Sequence, residues 1–135
     1  QLQEGSKIIS RYGKALGTDD IAEGIPMMAD GVLDRAAAPD VLFAALIVID
    51  TDAARLARIS GILGSNPDGS CGLSLMGDGG DRSIRYDAGT RAYVVSTSGS
   101  EEVPVADLRS NLAADVFGAE ASDGCFNAET IIAFE

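Results

Sequence analysis

The sequence predicts an α+β fold: N-terminal helices packed on a small, largely antiparallel sheet, with one further helix before a C-terminal strand. Three stretches carry that expectation. Apolar residues recur at helical spacing between Ile21 and Ala36, Val41–Ile49 is apolar throughout, and residues 83–96 hold two β-rich arms around Asp87-Ala88-Gly89. The chain of 135 residues reads as one domain, 1–135, because domains commonly run about 100–150 residues. No internal repeat or long linker divides it.

From the N-terminus, Ser6 is placed to cap a helix carrying Ile8, Ile9, Tyr12 and Leu16 on one side, stopped by Gly17. Asp20 with Glu23 resembles a capping box for a second helix. Its apolar series is Ile21, Ala22, Ile25, Met28, Ala29, Val32, Leu33 and Ala36, with a kink or restart expected at Pro26. The methionines read as core filler. Val41–Ile49 reads as a strand buried on both faces, with a buried helix as the alternative; its β-branched end and the Asp50-Thr51-Asp52 stop favour strand. Leu56, Ile59 and Leu63 are helix-spaced, with Arg55 and Arg58 on the other side, so a helix is preferred there to a second hairpin strand.

Residues 64–81, rich in Gly, Asp, Ser and Asn, read as loop enclosing at most a short strand at Leu73, Leu75 and Met76. The arms of 83–96 predict a hairpin, with Gly89 in the left-handed position of a bulged turn. Glu101, Glu102 and Pro104 suit a helix start. Val105, Leu108, Leu112 and Val116 would line that helix and Gly118 would end it; Thr130 to Phe134 reads as the last strand.

The formal charge is −11, from 21 acidic and 10 basic residues, with no His. Such a surface repels nucleic acid and anionic membrane, which need Lys and Arg to displace counterions. After Arg109 only acids remain: Asp115, Glu120, Asp123, Glu129 and Glu135. The longest apolar run is about half of the ~20 residues of a membrane-spanning helix. No secretory signal is visible at Gln1, and residues 1–6 read equally well as a trimmed N-terminus.

Cys71 and Cys125 are the two cysteines, each in a polar, turn-like setting. Free structural cysteines prefer apolar surroundings, so the pair points to a disulfide and an extracytoplasmic location: periplasmic, surface or secreted. Two unrelated thiols in a cytoplasmic protein are the alternative.

Catalytic motifs are sparse. An apolar strand ending in Asp50-Thr51-Asp52, followed by Gly77-Asp78-Gly79-Gly80-Asp81, resembles the acidic motifs of haloacid-dehalogenase-like phosphatases. That resemblance implies a nucleophilic first Asp and a Mg²⁺ site. Three features set the chain apart from that family: no Lys follows Lys14, the motifs are too close together, and the chain is shorter than the family core. A Ser–His or Cys–His pair is impossible without His. A reactive thiol would need Arg82 or Arg85 beside it, and no phosphate loop is present.

Asp78, Asp81 and Asp68 are the candidate metal ligands, for a nonstandard Ca²⁺ site whose spacing is not that of an EF-hand; no other cofactor is expected. The leading functional expectation is a non-catalytic binding or assembly module, the soluble part of an exported surface or secreted structure, with a protein partner or its own copies. An N-terminal helix, a small sheet and a stapled C-terminal loop share the layout of pilin-like heads, without a matching motif. The alternatives are an intracellular acidic partner-binding protein, chaperone- or inhibitor-like, and a carboxylate or divalent-metal enzyme using Asp50 and Asp52 with Asp78 and Asp81.

Overall fold

A computed structural model describes residues 1–50, 56–65 and 71–135. The fold is β-rich, with 58% of residues in strands and 5% helical. The expected α+β class is therefore corrected, and the pilin-like layout falls with its N-terminal helix. The strands are β1 (Leu2–Ser10), β2 (Met27–Asp34), β3 (Val41–Ile49), β4 (Ala57–Ser65), β5 (Leu73–Met76), β6 (Arg82–Arg85), β7 (Arg91–Ser96), β8 (Gly99–Val103), β9 (Ala113–Glu120) and β10 (Phe126–Phe134). Two 3₁₀ turns, Thr18–Asp20 and Val105–Asp107, are the helical elements of the described residues.

The strands form two sheets. The smaller has the order β1-β3-β2, with β1 parallel and β2 antiparallel to β3. The larger runs β6-β5-β4-β9-β10-β7-β8, and β6 also pairs with β10. That extra pairing closes β6, β5, β4, β9 and β10 into a five-stranded barrel, from which β7 and β8 extend.

β3 is the strand its apolar run predicts, covered on both faces. Ala45, Leu46 and Val48 pack toward the larger sheet, against Tyr93, Val95, Phe117 and Ile132. Ala44, Ile47 and Ile49 face the other way, under Leu16, Ile21 and Ile25. The expected helices over 6–17 and 20–36 give way to the two strands that satisfy the edges of β3. Ile8 and Ile9 are β-branched and pair with Ile47 and Val48. In the second segment Pro26 withholds an N–H, Gly24 takes φ +86°, and the chain straightens into β2. Ile21 and Ile25 keep a core role, but as an irregular cover.

The preferred helix at Leu56, Ile59 and Leu63 is instead β4. Its inward positions are Ile59, Gly61 and Leu63. The period of two was hidden because Gly61 shows no side chain, and a Cβ there would run into the Met76 carbonyl.

Residues 83–96 do not form a hairpin. β6 and β7 lie end to end along one edge of β10, both parallel to it: Ile84 pairs with Phe126, and Arg91 with Thr130. The Asp87-Ala88-Gly89 turn is a jog between them, and Gly89 takes no positive φ. Thr90 Oγ1 accepts from the Asp87 amide at 3.0 Å and donates to the Ala128 carbonyl at 2.8 Å, so the jog is tied to β10 rather than closing on itself. The hairpin lies one strand later, where Ser96 pairs with Gly99 across a two-residue turn.

The helix expected from Val105 is a single 3₁₀ turn followed by β9. Val105, Leu108, Leu112 and Val116 do face one core, as their spacing indicated. They reach it from a turn, the segment 108–112 and a strand. Leu63 donates its amide to the Leu112 carbonyl at 2.8 Å, which holds that segment on β4. Gly118 lies inside β9, where a Cβ would meet the Asn127 carbonyl. The last strand forms as expected but begins earlier, at Phe126. A bulge between Ala128 and Thr130 shifts its alternation, so that Phe126, Ala128, Ile131 and Ala133 all point into the barrel.

Candidate functional site

The alternation of β9 builds the site. Ala114 and Val116 fill the barrel, so Asp115 and Phe117 must point out of it, toward the smaller sheet. On the neighbouring strand Ser60 lies opposite Asp115, and Arg58 opposite Phe117. Asp115 is 3% exposed. It accepts from Arg58 Nη2 at 2.6 Å and from the Ser60 hydroxyl.

The smaller sheet supplies the facing wall. Asp50 follows β3, and Arg11 follows β1. The Arg11 guanidinium meets Asp50 Oδ2 at 2.8 Å, donates to the Leu56 carbonyl at 3.1 Å, and stands 5.6 Å from the Phe117 ring centroid. The Asp50 side chain is 9% exposed, and its Oδ1 is buried without a hydrogen-bond partner among the described residues. Between the walls lies a cleft of about 210 Å³ with charged groups Arg11, Asp50 and Arg58 and apolar surface from Met27, Met28, Val48 and Phe117.

Asp30 completes the group from β2. It lies opposite Leu46, as Met28 lies opposite Val48, so both point toward the larger sheet. Its Oδ2 is buried and without a hydrogen-bond partner among the described residues. Burial, and then the Asp115 carboxylate, push the Asp30 carboxyl above its ordinary range, with Arg58 offsetting part of the effect. A larger hollow of about 410 Å³ beside β1 reaches Lys7, Tyr93 and Glu102. It lacks a buried acceptor without a partner among the described residues.

Asp78 and Asp81 sit exposed in the turn between β5 and β6, closed by the Gly80 amide donating to the Gly77 carbonyl at 2.9 Å. Asp68 and Asp52 lie outside the described residues. Among the described residues no three acidic, His or Cys side chains are grouped to hold a metal ion. Asp50 does enter the cleft, engaged by Arg11.

Cys71 and Cys125 lie at disulfide distance, their Cα atoms 6.1 Å apart and both residues buried. Arg85 is beside the pair: its Nη2 approaches Cys125 Sγ at 3.3 Å and Asp123 Oδ2 at 2.5 Å. That hydrogen bond and the Cys125 amide hold the Asp123 carboxyl below its usual range.

Sequence reasoning missed Asp30, Arg58, Ser60 and Asp115. One signal was available. In Ala113-Ala114-Asp115-Val116-Phe117 a single acid interrupts an apolar run, which on a strand marks a charge facing a second layer. Among the described residues no helix is long and apolar enough to cross a membrane, a statement that does not bear on β-barrels. Comparison with protein-family models, with characterised proteins and with solved structures finds no match.

Proposed function

We propose that the protein is a non-catalytic binding module of an oxidising, extracytoplasmic compartment, which receives an extended segment of a partner protein along β2. The single observation that carries the reading is the edge position of β2. It pairs with β3 on one side, and no strand of the described residues covers the other. Met27, Val32 and Leu33 are exposed along it. A strand edge with unpaired N–H and C=O groups and exposed apolar side chains is a template for strand addition, in which backbone hydrogen bonds give affinity and side-chain hollows give selectivity. Met27 and Met28 of the same strand line the cleft. The Cys71–Cys125 pair supports the setting, since bridges persist where thiols are not kept reduced. The charge of −11 supports a protein partner over nucleic acid.

The test is a screen of arrayed extended peptides, with hits mapped by amide hydrogen exchange. Hits should protect β2 amides, and Val32→Lys and Leu33→Lys should abolish them by placing charge on the edge. Absence of saturable binding, or protection confined to other strands, rejects the reading. Sedimentation over a concentration series distinguishes a foreign partner from a second copy.

A further inference from the structure

Among the described residues the charges around the cleft do not balance. Asp50 is met by Arg11 and Asp115 by Arg58, while Asp30, which lines the adjoining hollow, is in no ion pair with them. Three carboxylates of the described residues thus share two guanidinium groups in a partly desolvated space, where each charge acts over a longer range than in water. In the wall of the cleft one acceptor is free: among the described residues no donor reaches Asp50 Oδ1, on a side chain only 9% exposed. A buried carboxylate oxygen without a protein donor is rare in folded proteins, and a water, an ion or a bound group supplies the donor. The remaining walls are apolar and soft: Met27, Met28, Val48 and Phe117. Methionine and aromatic surface suits an alkyl stem beneath a cationic head.

We propose that this cleft binds the side chain of a lysine or arginine, its ammonium or guanidinium donating to Asp50 Oδ1 and its alkyl stem lying against Met28 and Phe117. The volume of about 210 Å³ admits one such side chain. Asp30 does not need to touch the ligand. It lies one inward position beyond Met28 on β2 and supplies the unbalanced negative charge that selects a cation over a neutral donor. The inference deepens the strand-addition reading by naming the residue the arriving segment carries, and its chemistry can be tested without any strand.

The experiment is a two-dimensional amide NMR titration of the whole protein with n-butylguanidinium, n-butylammonium and n-butanol. Two pentapeptides, alike except for a central Arg or Gln, follow. The cations should give saturable shifts at Met27, Met28 and Phe117, with butanol at least about tenfold weaker, the loss typical of a charged donor. Asp50→Asn should weaken cation binding about tenfold. Because that change also loosens Arg11, Asp30→Asn is the second variant, expected to weaken the cations several-fold and leave butanol unchanged. Butanol binding as tightly as the cations, no saturation at the cleft, or two folded variants that bind like the parent would each overturn the proposal. If free cations bind and neither peptide does, the cleft assignment stands and strand addition falls. If both peptides bind equally and the free cations do not, strand addition stands and the cleft assignment falls.

Discussion

Tyr93 on β7 donates its phenolic hydroxyl to the backbone carbonyl of Gly13, 2.7 Å away, in a buried hydrogen bond spanning 80 positions of sequence. The bond ties the larger sheet to the turn that follows β1. It gives the one polar atom of a 1% exposed side chain its partner, and burial pushes the Tyr93 hydroxyl above its ordinary pKa. Gly13 takes φ +72°, and a Cβ there would press on Arg91 at 2.8 Å. Small size and a left-handed backbone are both required for this approach.

Tyr93→Phe keeps the ring and leaves the Gly13 carbonyl without its donor. The expected cost is about 1–2 kcal/mol of unfolding free energy. Urea titration of the two proteins measures it, and an unchanged midpoint would show that the bond does not couple the sheets.

Arg58→Ala should destabilise the fold by roughly 2 kcal/mol, because Asp115 stays buried with only Ser60 to satisfy it. Arg58 is 47% exposed, so solvent softens the loss. The double variant Arg58→Met, Asp115→Leu removes both charges and should recover most of the stability. A double-mutant cycle by thermal melting decides the matter. Additive losses would mean the pair is not coupled.

Asp30 predicts a pH dependence of definite sign. Asp115 and Arg58 face it, and Glu135 shares the hollow on its other side. Its pKa is raised in the folded state, so its contribution to stability is full below the unfolded value of about 3.9. That contribution declines as pH rises through the folded value, because the ionised form disfavours burial. Asp30→Asn should therefore stabilise the protein at neutral pH. Urea midpoints from pH 3 to 8 should fall less steeply for the variant, after the shared loss of other carboxylate terms is subtracted. Parallel curves would remove Asp30 as the cause.

Reduction of a Cys71–Cys125 bridge, which would close a loop across a separation of 54 residues, should lower stability by about 4 kcal/mol on the chain-entropy model. Melting with and without reductant reads this, and intact mass counts the thiols. Two alkylatable thiols in the native protein, with no change on reduction, would remove both the staple and the support it lends to an oxidising setting.

Some elements were legible because one segment decides them. Val41–Ile49 is apolar at every position, and no amphipathic element reads that way, so an element covered on both faces followed directly, and its β-branched end favoured strand over helix. The last strand was legible for a similar reason. So was the Cys pairing: two turn-like cysteines in an otherwise ordinary chain invite a partner, and the fold brings them within 6.1 Å.

The helices failed because spacing of three and four also arises from strands with silent positions. Gly61 and Gly118 hold inward places that no hydrophobic scale registers, and the bulge in β10 shifts the alternation partway along. Local propensity then yields to the edges of β3 and β10, which require partners whatever their neighbours prefer.

The site was less legible than the fold. Asp50 drew notice for its neighbour Asp52, yet its cleft partner is Arg11. Asp30, Arg58, Ser60 and Asp115 come from three strands whose register no single segment encodes. What the sequence by itself determined is a strongly acidic chain with one apolar element covered on both faces, a pair of cysteines suited to a staple, and no histidine chemistry. The tertiary structure alone decided that the chain is β-rich, which edges are covered, and which carboxylates meet. Strand pairing joins residues far apart in sequence, and a shift of one residue sends every side chain to the opposite face.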